Sequence, residues 1–388
     1  MASPLSEKAI SEALKYGNAL LKFISPNDTG ATGAHQAGFY LPKSAWEIYT
    51  PNTPTKGRNA EHYVKIEWHD GRTTESVVHW YGQGTRSEYR LTRFGADFPF
   101  LIPDTVGDLL MLVPTNRTNF NAYVFDQEDD IEEVIASLGL QPFEHWAIYK
   151  NGAAQIEDTD ACLEKQFQTF AKTLQKFPTG EVFSNATHEM LAHCFKELPK
   201  NSLDDKLLKY YSTEYRLFQV IERQICQTEI GRLFKDVDDF LHTAASIMNR
   251  RKSRAGRSLE NHVDNVLSEA NIPHEMQPHI DGKPDVIFPS KEAYLDPKYP
   301  TEKLLVMGVK TTCKDRWRQI LNEGKKVPHK HILTLQPSIS SNQLTEMHEA
   351  GVTLVVPRRL QNEYPRNHPL KILTVEDFVS EARTLLSI

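Results

Sequence analysis

The sequence predicts two domains, an all-β domain first and an α/β domain second. Three observations carry this reading. At 388 residues the chain is long enough to bury two cores. Between residues 37 and 125, short apolar runs recur between clusters of Gly, Pro, Asn and Asp, the rhythm of a small β-barrel or sandwich. Beyond residue 284, β-branched apolar runs alternate with segments of helical period, the mark of an α/β sandwich with mixed or partly parallel strands.

Composition narrows the function classes. Hydrophobic content of 39% with 25% charged residues is that of a folded, water-soluble chain. No apolar run approaches the roughly 20 residues needed to span a bilayer. The opening segment carries Glu7, Lys8, Glu12 and Lys15 among its apolar residues and lacks the continuous apolar core of a secretory signal. A cytoplasmic protein without a membrane partner is therefore expected. Cys162, Cys194, Cys226 and Cys313 form no Cys-x-x-Cys pair, so neither a disulfide framework nor a structural zinc site is expected. A net charge of −6 gives no overall attraction to nucleic acid, and any DNA contact must come from local basic patches.

The first domain opens with an amphipathic helix at 6–23, in which Ala9, Ile10, Ala13, Leu14, Leu20 and Leu21 fall mostly at helical spacing. A polar, glycine-punctuated loop follows at 25–35. Strands are predicted at 37–41, 63–68, 76–81, 88–94, 109–113 and 121–125. Acidic Glu128, Asp129, Asp130, Glu132 and Glu133 fit either the first turn of a helix, where its dipole favours them, or an imitation of DNA charge. The domain spans about 1–165, with a partly helical connection at 151–176. Arg86, Arg90 and Arg93 surround Glu88 and the aromatic Tyr89. Arginine reads guanine bidentately and glutamate accepts from the cytosine amino group, so the set suits a G·C-containing site; a solvated face explains it as well. Asn27, Asp28 and His35 add candidate base or phosphate contacts.

The second domain, 166–388, begins with helices at 180–196, 204–234 and 237–250. Lys209, Tyr210 and Tyr211 suit core packing, or a surface on which an extruded base stacks. Arg250, Arg251, Lys252, Arg254 and Arg257 set five cations in eight residues, suited to DNA phosphates or to a solvated surface. A helix at 259–270 carries Glu260 in its first turn. Strands at 284–289 and 304–310, a helix at 311–323, a strand at 332–335, a helix at 341–350, a strand at 352–356 and a helix at 375–386 complete the pattern.

Chemistry concentrates where two of those strands stop. Asp285 and Lys310 stand where the apolar pattern ends, and Glu323 lies thirteen residues after Lys310, about three and a half helical turns if the segment is continuous. Carboxylates supply hard oxygen ligands for Mg²⁺, which polarises a phosphate and helps generate hydroxide. A neighbouring lysine orients the attacking water or offsets charge on the phosphate oxygens. Asp285, Lys310 and Glu323 are thus the parts of a metal-dependent phosphodiesterase, with Glu260 as a candidate further acid. A Pro-Asp turn and a lysine at a strand end are also common surface features.

Longer strings narrow the choice. The stretch VKTTCKDRWRQILNE at 309–323 resembles the active-site strand and following helix of the EcoRII family of type II restriction endonucleases. NRRKSRAG at 249–256 with Ser258, Leu259 and Glu260, and NDTGATG at 27–33 with His35 and Gln36, resemble the same family. The matches fall in order at both ends of the chain and so cover most of it. The resemblance implies a type IIE enzyme. Its N-terminal effector DNA-binding domain would be a B3-like pseudobarrel whose arms, at 22–36 and 86–93, bring Lys22, Asn27, Asp28, His35, Arg86, Glu88, Arg90 and Arg93 to DNA. Its C-terminal domain would have the restriction-endonuclease-like PD-(D/E)XK fold. There Asp285 and Glu323 would bind Mg²⁺, Lys310 would position water, and Lys314, Asp315 and Arg316 would read CC·GG. Products would carry 5′-phosphates. Two DNA site copies, a twofold homodimer, screening of the cleft by the effector domain and a cognate methyltransferase in the same host are further implications. The chain departs from the family at Tyr89, where a basic residue is expected, and around Lys209 to Tyr211, where the family is arginine-rich. Two rivals remain open: a non-catalytic DNA-binding regulator on a nuclease-like scaffold, and a repair nuclease that reads structure. Retention of Asp285, Lys310 and Glu323 together argues against the regulator.

Overall fold

Ser3 caps the first helix, its side chain accepting from the Ser6 amide, and Gly17 in the left-handed region (φ 72°) ends it. A computed structural model describes residues 3–32, 38–51, 53, 55–140, 145–150, 153–154 and 160–387. His35 lies outside them. Contacts divide the chain into two units, 1–155 with 336–345 and 362–369, and 156–335 with 346–361 and 370–388.

The first part runs α1 Pro4–Tyr16, β1 Asn18–Phe23, β2 Phe39–Leu41, α2 Trp46–Tyr49, β3 Ala60–Trp68, β4 Thr73–Tyr81, β5 Glu88–Thr92, β6 Leu109–Pro114, β7 Asn119–Phe125, α3 Glu128–Ser137, β8 Trp146–Lys150 and β9 Ala153–Ala154. The nine strands form one sheet in the order β2-β5-β4-β3-β7-β6-β1-β8-β9. Every pairing is antiparallel except β3 with β7. Phe39 and Leu41 from one end share a core with Leu20 and Ile148 from the other, so the sheet curls round as a barrel-like sheet does. Its opposite face packs Ala19, Leu21, Phe23, Met111 and Tyr123 under Ala9, Ala13, Ile131 and Val134 of α1 and α3. The acidic run thus opens α3, with Glu128, Asp129 and Asp130 in its first turn.

The predicted helix at 6–23 is corrected to a helix that stops at Tyr16 and a strand, β1. Both faces of β1 are buried, so its run of apolar residues has no alternation to distinguish it from a buried helix. β8 and β9 go unpredicted for lack of the same signal.

The second part runs α4 Ala161–Thr173, α5 Gly180–Cys194, α6 Leu203–Ile230, α7 Val237–Glu269, β10 Glu275–Met276, β11 Val286–Phe288, α8 Lys291–Leu295, β12 Leu305–Lys310, β13 Lys330–Thr334, α9 Ser341–Glu349, β14 Val352–Val355, β15 Ile372–Leu373 and α10 Val375–Leu386. Strands β10 to β15 lie in sequence order. The first three are antiparallel and the last four parallel, a mixed sheet as expected. Its core joins Val286, Phe288, Met307 and Val309 to Leu259, Val263, Val266 and Leu267 of α7 and to Phe378 of α10.

Three expectations are corrected here. The helices at 237–250 and 259–270 are one helix of 33 residues, with the basic cluster inside it. Gly256 is the poorest helix former within it, at about 1 kcal/mol relative to alanine, and no proline interrupts it. The segment after Lys310 is not a regular helix: 311–315 is irregular, and Arg316–Asn322 is a 3₁₀ helix. Cys162 and Cys194 form a disulfide, because α4 packing on α5 brings the first turn of one to the end of the other. Spacing along the chain carries no trace of that proximity. Among the described residues, no helix is long and apolar enough to cross a membrane.

Candidate active site

β11 and β12 pair with Val286 opposite Met307, which sets Asp285 beside the end of β12. The Asp285 carboxylate is 8% exposed as a residue and is held by two donors on Oδ2, the Val309 amide at 2.7 Å and Lys310 Nζ at 2.8 Å. Beside them Gly308 lies under the 3₁₀ helix, where a Cβ would stand 2.9 Å from Ile320 Cδ1 and 3.8 Å from Asp285 Oδ2.

Glu323 is delivered by that helix. Its amide donates to the Ile320 carbonyl at 3.0 Å, and Lys330 Nζ binds the carbonyls of Glu323 and Gly324 at 2.5 and 2.7 Å. Behind it, Gly282 (φ 74°) packs so tightly that a Cβ would come within 2.4 Å of Asn322 O and 2.5 Å of Glu323 Cα. Asp281 fastens the same turn, accepting from the Gly324 amide through its carbonyl at 2.9 Å, and from Lys325 N and Tyr294 Oη through its carboxylate at 2.7 and 2.5 Å. Glu260 arrives from α7. Its Oε2 accepts from Gln277 Nε2 at 2.8 Å, and the same nitrogen reaches Asp285 Oδ1 at 3.3 Å.

The electrostatics follow from burial and this convergence of charge. Burial pushes the Glu323 carboxyl up to about 7; Lys310 opposes that rise, Asp285 adds to it, and Lys330 opposes it more weakly. Burial, then the charge of Asp285, raises Glu260, with Gln277, Lys310 and Arg257 pulling the other way. For Lys310 burial acts downward, but the charge and hydrogen bond of Asp285, with Glu323 and Glu260 behind them, win and hold its ammonium protonated. Glu323 Oε2 is buried without a hydrogen-bond partner. The orphaned Glu323 oxygen, whose charge meets those of Lys310 and Asp285, and the Glu260–Asp285 pair bridged by Gln277 are hard oxygen donors of the kind a divalent cation takes. Among the described residues, however, the three carboxylates are not gathered within 4.8 Å of one another.

The residues predicted to read DNA are placed differently from one another. Lys314 is buried, and burial lowers it to about 8 against the opposing charge of Asp315. Asp315 is exposed and Arg316 half-buried. In the basic cluster, Arg250 pairs with Glu229 at 2.7 Å, Arg251 binds both oxygens of Glu222 at 2.8 Å, and Arg254 lies 3.5 Å from buried Glu214 and over the rings of Tyr215 and Phe218. These arginines tie α7 to α6, while Lys252 and Arg257 are exposed. Tyr210 and Tyr211 are buried, Tyr210 donating to Glu269 at 2.8 Å, which is the packing alternative.

In the first unit, Lys22 and Asp28 are buried and paired at 2.7 Å. Asp28 also accepts from the Ser25 and Tyr40 amides at 2.9 and 2.7 Å, so it shapes the loop that carries exposed Asn27. Arg86 lies over Tyr81, Arg93 over Tyr63, and Arg90 is 3.7 Å from Glu88. Tyr89 points the other way, into the core against Tyr49 and Trp80.

Sequence reasoning missed Gln277, Gly282 and Lys330. The Asp281-Gly282 pair is a readable turn signal, whereas nothing local distinguishes Gln277 or Lys330.

Two family models match the chain, EcoRII N-terminal over residues 14–148 and EcoRII C terminal over residues 218–379. The type II restriction enzyme EcoRII of Escherichia coli is 34% identical over 386 residues, covering 93% of this chain and 93% of that protein. The type II restriction enzyme SsoII of Shigella sonnei is 28% identical over 156 residues, 37% of this chain and 49% of its own. Among solved structures, metal-depleted Ecl18kI in complex with uncleaved, modified DNA aligns at a TM-score of 0.46 and 20% identity, over 58% of this chain and 84% of that one. The PspGI–substrate DNA complex aligns at 0.44 and 17%, over 54% and 94%. With both domains matched in order and a third of the positions identical along nearly the full length, the chain belongs to the EcoRII family of type II restriction enzymes.

Proposed function

We propose that this sequence-specific DNA endonuclease hydrolyses both strands of a CC·GG-containing site with Mg²⁺, leaves 5′-phosphate ends, and is restrained by its N-terminal domain until that domain binds a second copy of the site. The observation that carries the chemistry is the convergence of Asp285, Lys310 and Glu323 at the ends of β11, β12 and the 3₁₀ helix. Asp285 and Glu323 hold the cation, with Glu260 beside them. Bound there, Mg²⁺ supplies Lewis-acid polarisation of the phosphate and a more acidic water. Lys310 keeps its proton because three acids surround it. Its Nζ donates to the attacking water and then to the phosphate oxygens as their charge grows.

Around this centre, exposed Asp315 and half-buried Arg316 offer acceptor and donor to neighbouring G and C edges, and Lys314, buried in the free chain, joins them as a donor only when DNA binding uncovers it. Lys252 and Arg257 take phosphates directly, while Arg250, Arg251 and Arg254 support the helix that presents them. On the first unit Asn27, Arg86, Glu88, Arg90 and Arg93, with His35, form the effector surface, and Lys22 with Asp28 shapes its loop. Cutting two strands with one such centre per chain calls for a twofold homodimer. The enzyme works in the cytoplasm, beside a methyltransferase that protects the host DNA.

Digestion of long unmethylated DNA tests the reading. Mg²⁺ should give discrete bands that chelation abolishes, and Lys310→Ala should slow cleavage by about 10²–10³-fold while DNA binding in Ca²⁺ persists. Cleavage confined to junctions, or undiminished in Lys310→Ala, sinks it.

A further inference from the structure

Gln277 links two acids that come from distant parts of the chain. Its Nε2 donates to Glu260 Oε2 at 2.8 Å and to Asp285 Oδ1 at 3.3 Å, so one amide group spans the carboxylates of α7 and of the residue before β11. The backbone is held for this task. Its N–H donates to the Asp285 carbonyl at 2.8 Å, and its φ of 48° lies in the left-handed region, which a non-glycine residue adopts only against a steric cost. The residue itself is exposed, so an ion entering from solvent meets it.

The orientation of the carboxamide follows from its neighbours. An amide oxygen facing two carboxylates would set lone pairs against lone pairs, so the nitrogen faces them. A neutral amide satisfies hydrogen bonds but leaves the repulsion between the two acids in place. Among the described residues, Glu260, Asp285 and Glu323 are not gathered as a set within 4.8 Å of one another. A dication between Glu260 and Asp285 removes the repulsion and competes for the position of Nε2. A half-turn about the terminal bond of Gln277 then brings Oε1, a hard oxygen donor, to the same place.

We propose that Gln277 is a positioning residue of the cation site, its Nε2 spacing Glu260 and Asp285 and its Oε1 replacing that nitrogen as a protein ligand when a divalent cation enters between them. The inference rests on the cation site proposed above and adds a ligand that no carboxylate pattern would identify.

The test is Mn²⁺ binding to the full-length chain without DNA, measured by calorimetry or by the loss of the free-ion spin-resonance signal. Gln277→Met keeps the length but removes donor and acceptor, and should weaken Mn²⁺ binding by about 10-fold or more. Gln277→Glu supplies a stronger oxygen ligand and should bind Mn²⁺ at least as tightly as the parent, while its thermal midpoint in chelator drops because three acids now crowd one place. Parental affinity in Gln277→Met, or weaker binding in Gln277→Glu than in Gln277→Met, overturns the assignment. Asp285→Asn separates the two levels. If it alone loses the ion, Gln277 is not a ligand; if both Asp285→Asn and Gln277→Met bind as the parent does, the cation site itself is misplaced.

Discussion

In the cation site proposed above, the charge state of Glu323 sets the working range. Burial raises its carboxyl to about 7, above the ordinary value of 4.5. The sign is then determined: the folded protein holds the proton through a window in which the unfolded chain has lost it. Stability from this group is present below the unfolded value and is lost as pH rises through the folded one. A cation requires the ionised form, so it competes with that proton. Apparent Mn²⁺ affinity should climb between about pH 6 and 8 and level off above, and Glu323→Gln should bind weakly with no such slope. A flat profile in the parent protein would contradict the placement of Glu323 in the cation site. Gly282 bears on the same carboxylate through the backbone. Adding a methyl group there meets Asn322 O and Glu323 Cα at 2.4 and 2.5 Å on a left-handed backbone. Gly282→Ala should therefore cost about 1–3 kcal/mol in a denaturant midpoint and slow cleavage by about 100-fold through displacement of Glu323.

At the scale of elements, α7 is the part whose sequence and structure differ most instructively. Its 33 residues contain a run of five cations and a glycine, features that read as a break. The helix continues because α6 presents Glu214, Glu222 and Glu229 to Arg254, Arg251 and Arg250, so three of the five cations are paired across the interface. Gly256 sits in this helix with nothing within 4 Å of the position a Cβ would take. Gly256→Ala should raise stability by about 0.5–1 kcal/mol, read as a higher denaturant midpoint. A loss instead would mean that the helix bends or opens there.

The whole molecule carries two candidate DNA surfaces, one on each unit. Control of one by the other requires the N-terminal domain to prefer different positions in the bound and free states. Removal of residues 1 to about 170 should then raise cleavage of DNA that holds a single site, relative to the full chain, and unchanged or lost cleavage counts against the restraint. Residues 336–345 and 362–369 group with the first unit, so circular dichroism of the shortened chain must accompany the assay.

Much of this protein was legible in its residues. The strand ends bearing Asp285 and Lys310 were readable because an apolar β-branched run closed by a charge is a local pattern, and the mixed sheet followed from its alternation with helices. Glu260 and Glu323 were legible as acids of the right kind, although the 3₁₀ path to Glu323 was not, since a tight turn and a helix share their spacing over so few residues. Other features had no local signature. β1 is a strand because both its faces are covered by layers built from distant segments. The Cys162–Cys194 bond exists because two helices pack. Gln277 lies between two carboxylates because α7 and β11 meet beside it. Local period showed roughly where the strands of the second domain stand, and the resemblance of longer strings, not composition, pointed to the family. Only the tertiary structure decided which side chains face one another, because that depends on pairings between residues far apart in the chain.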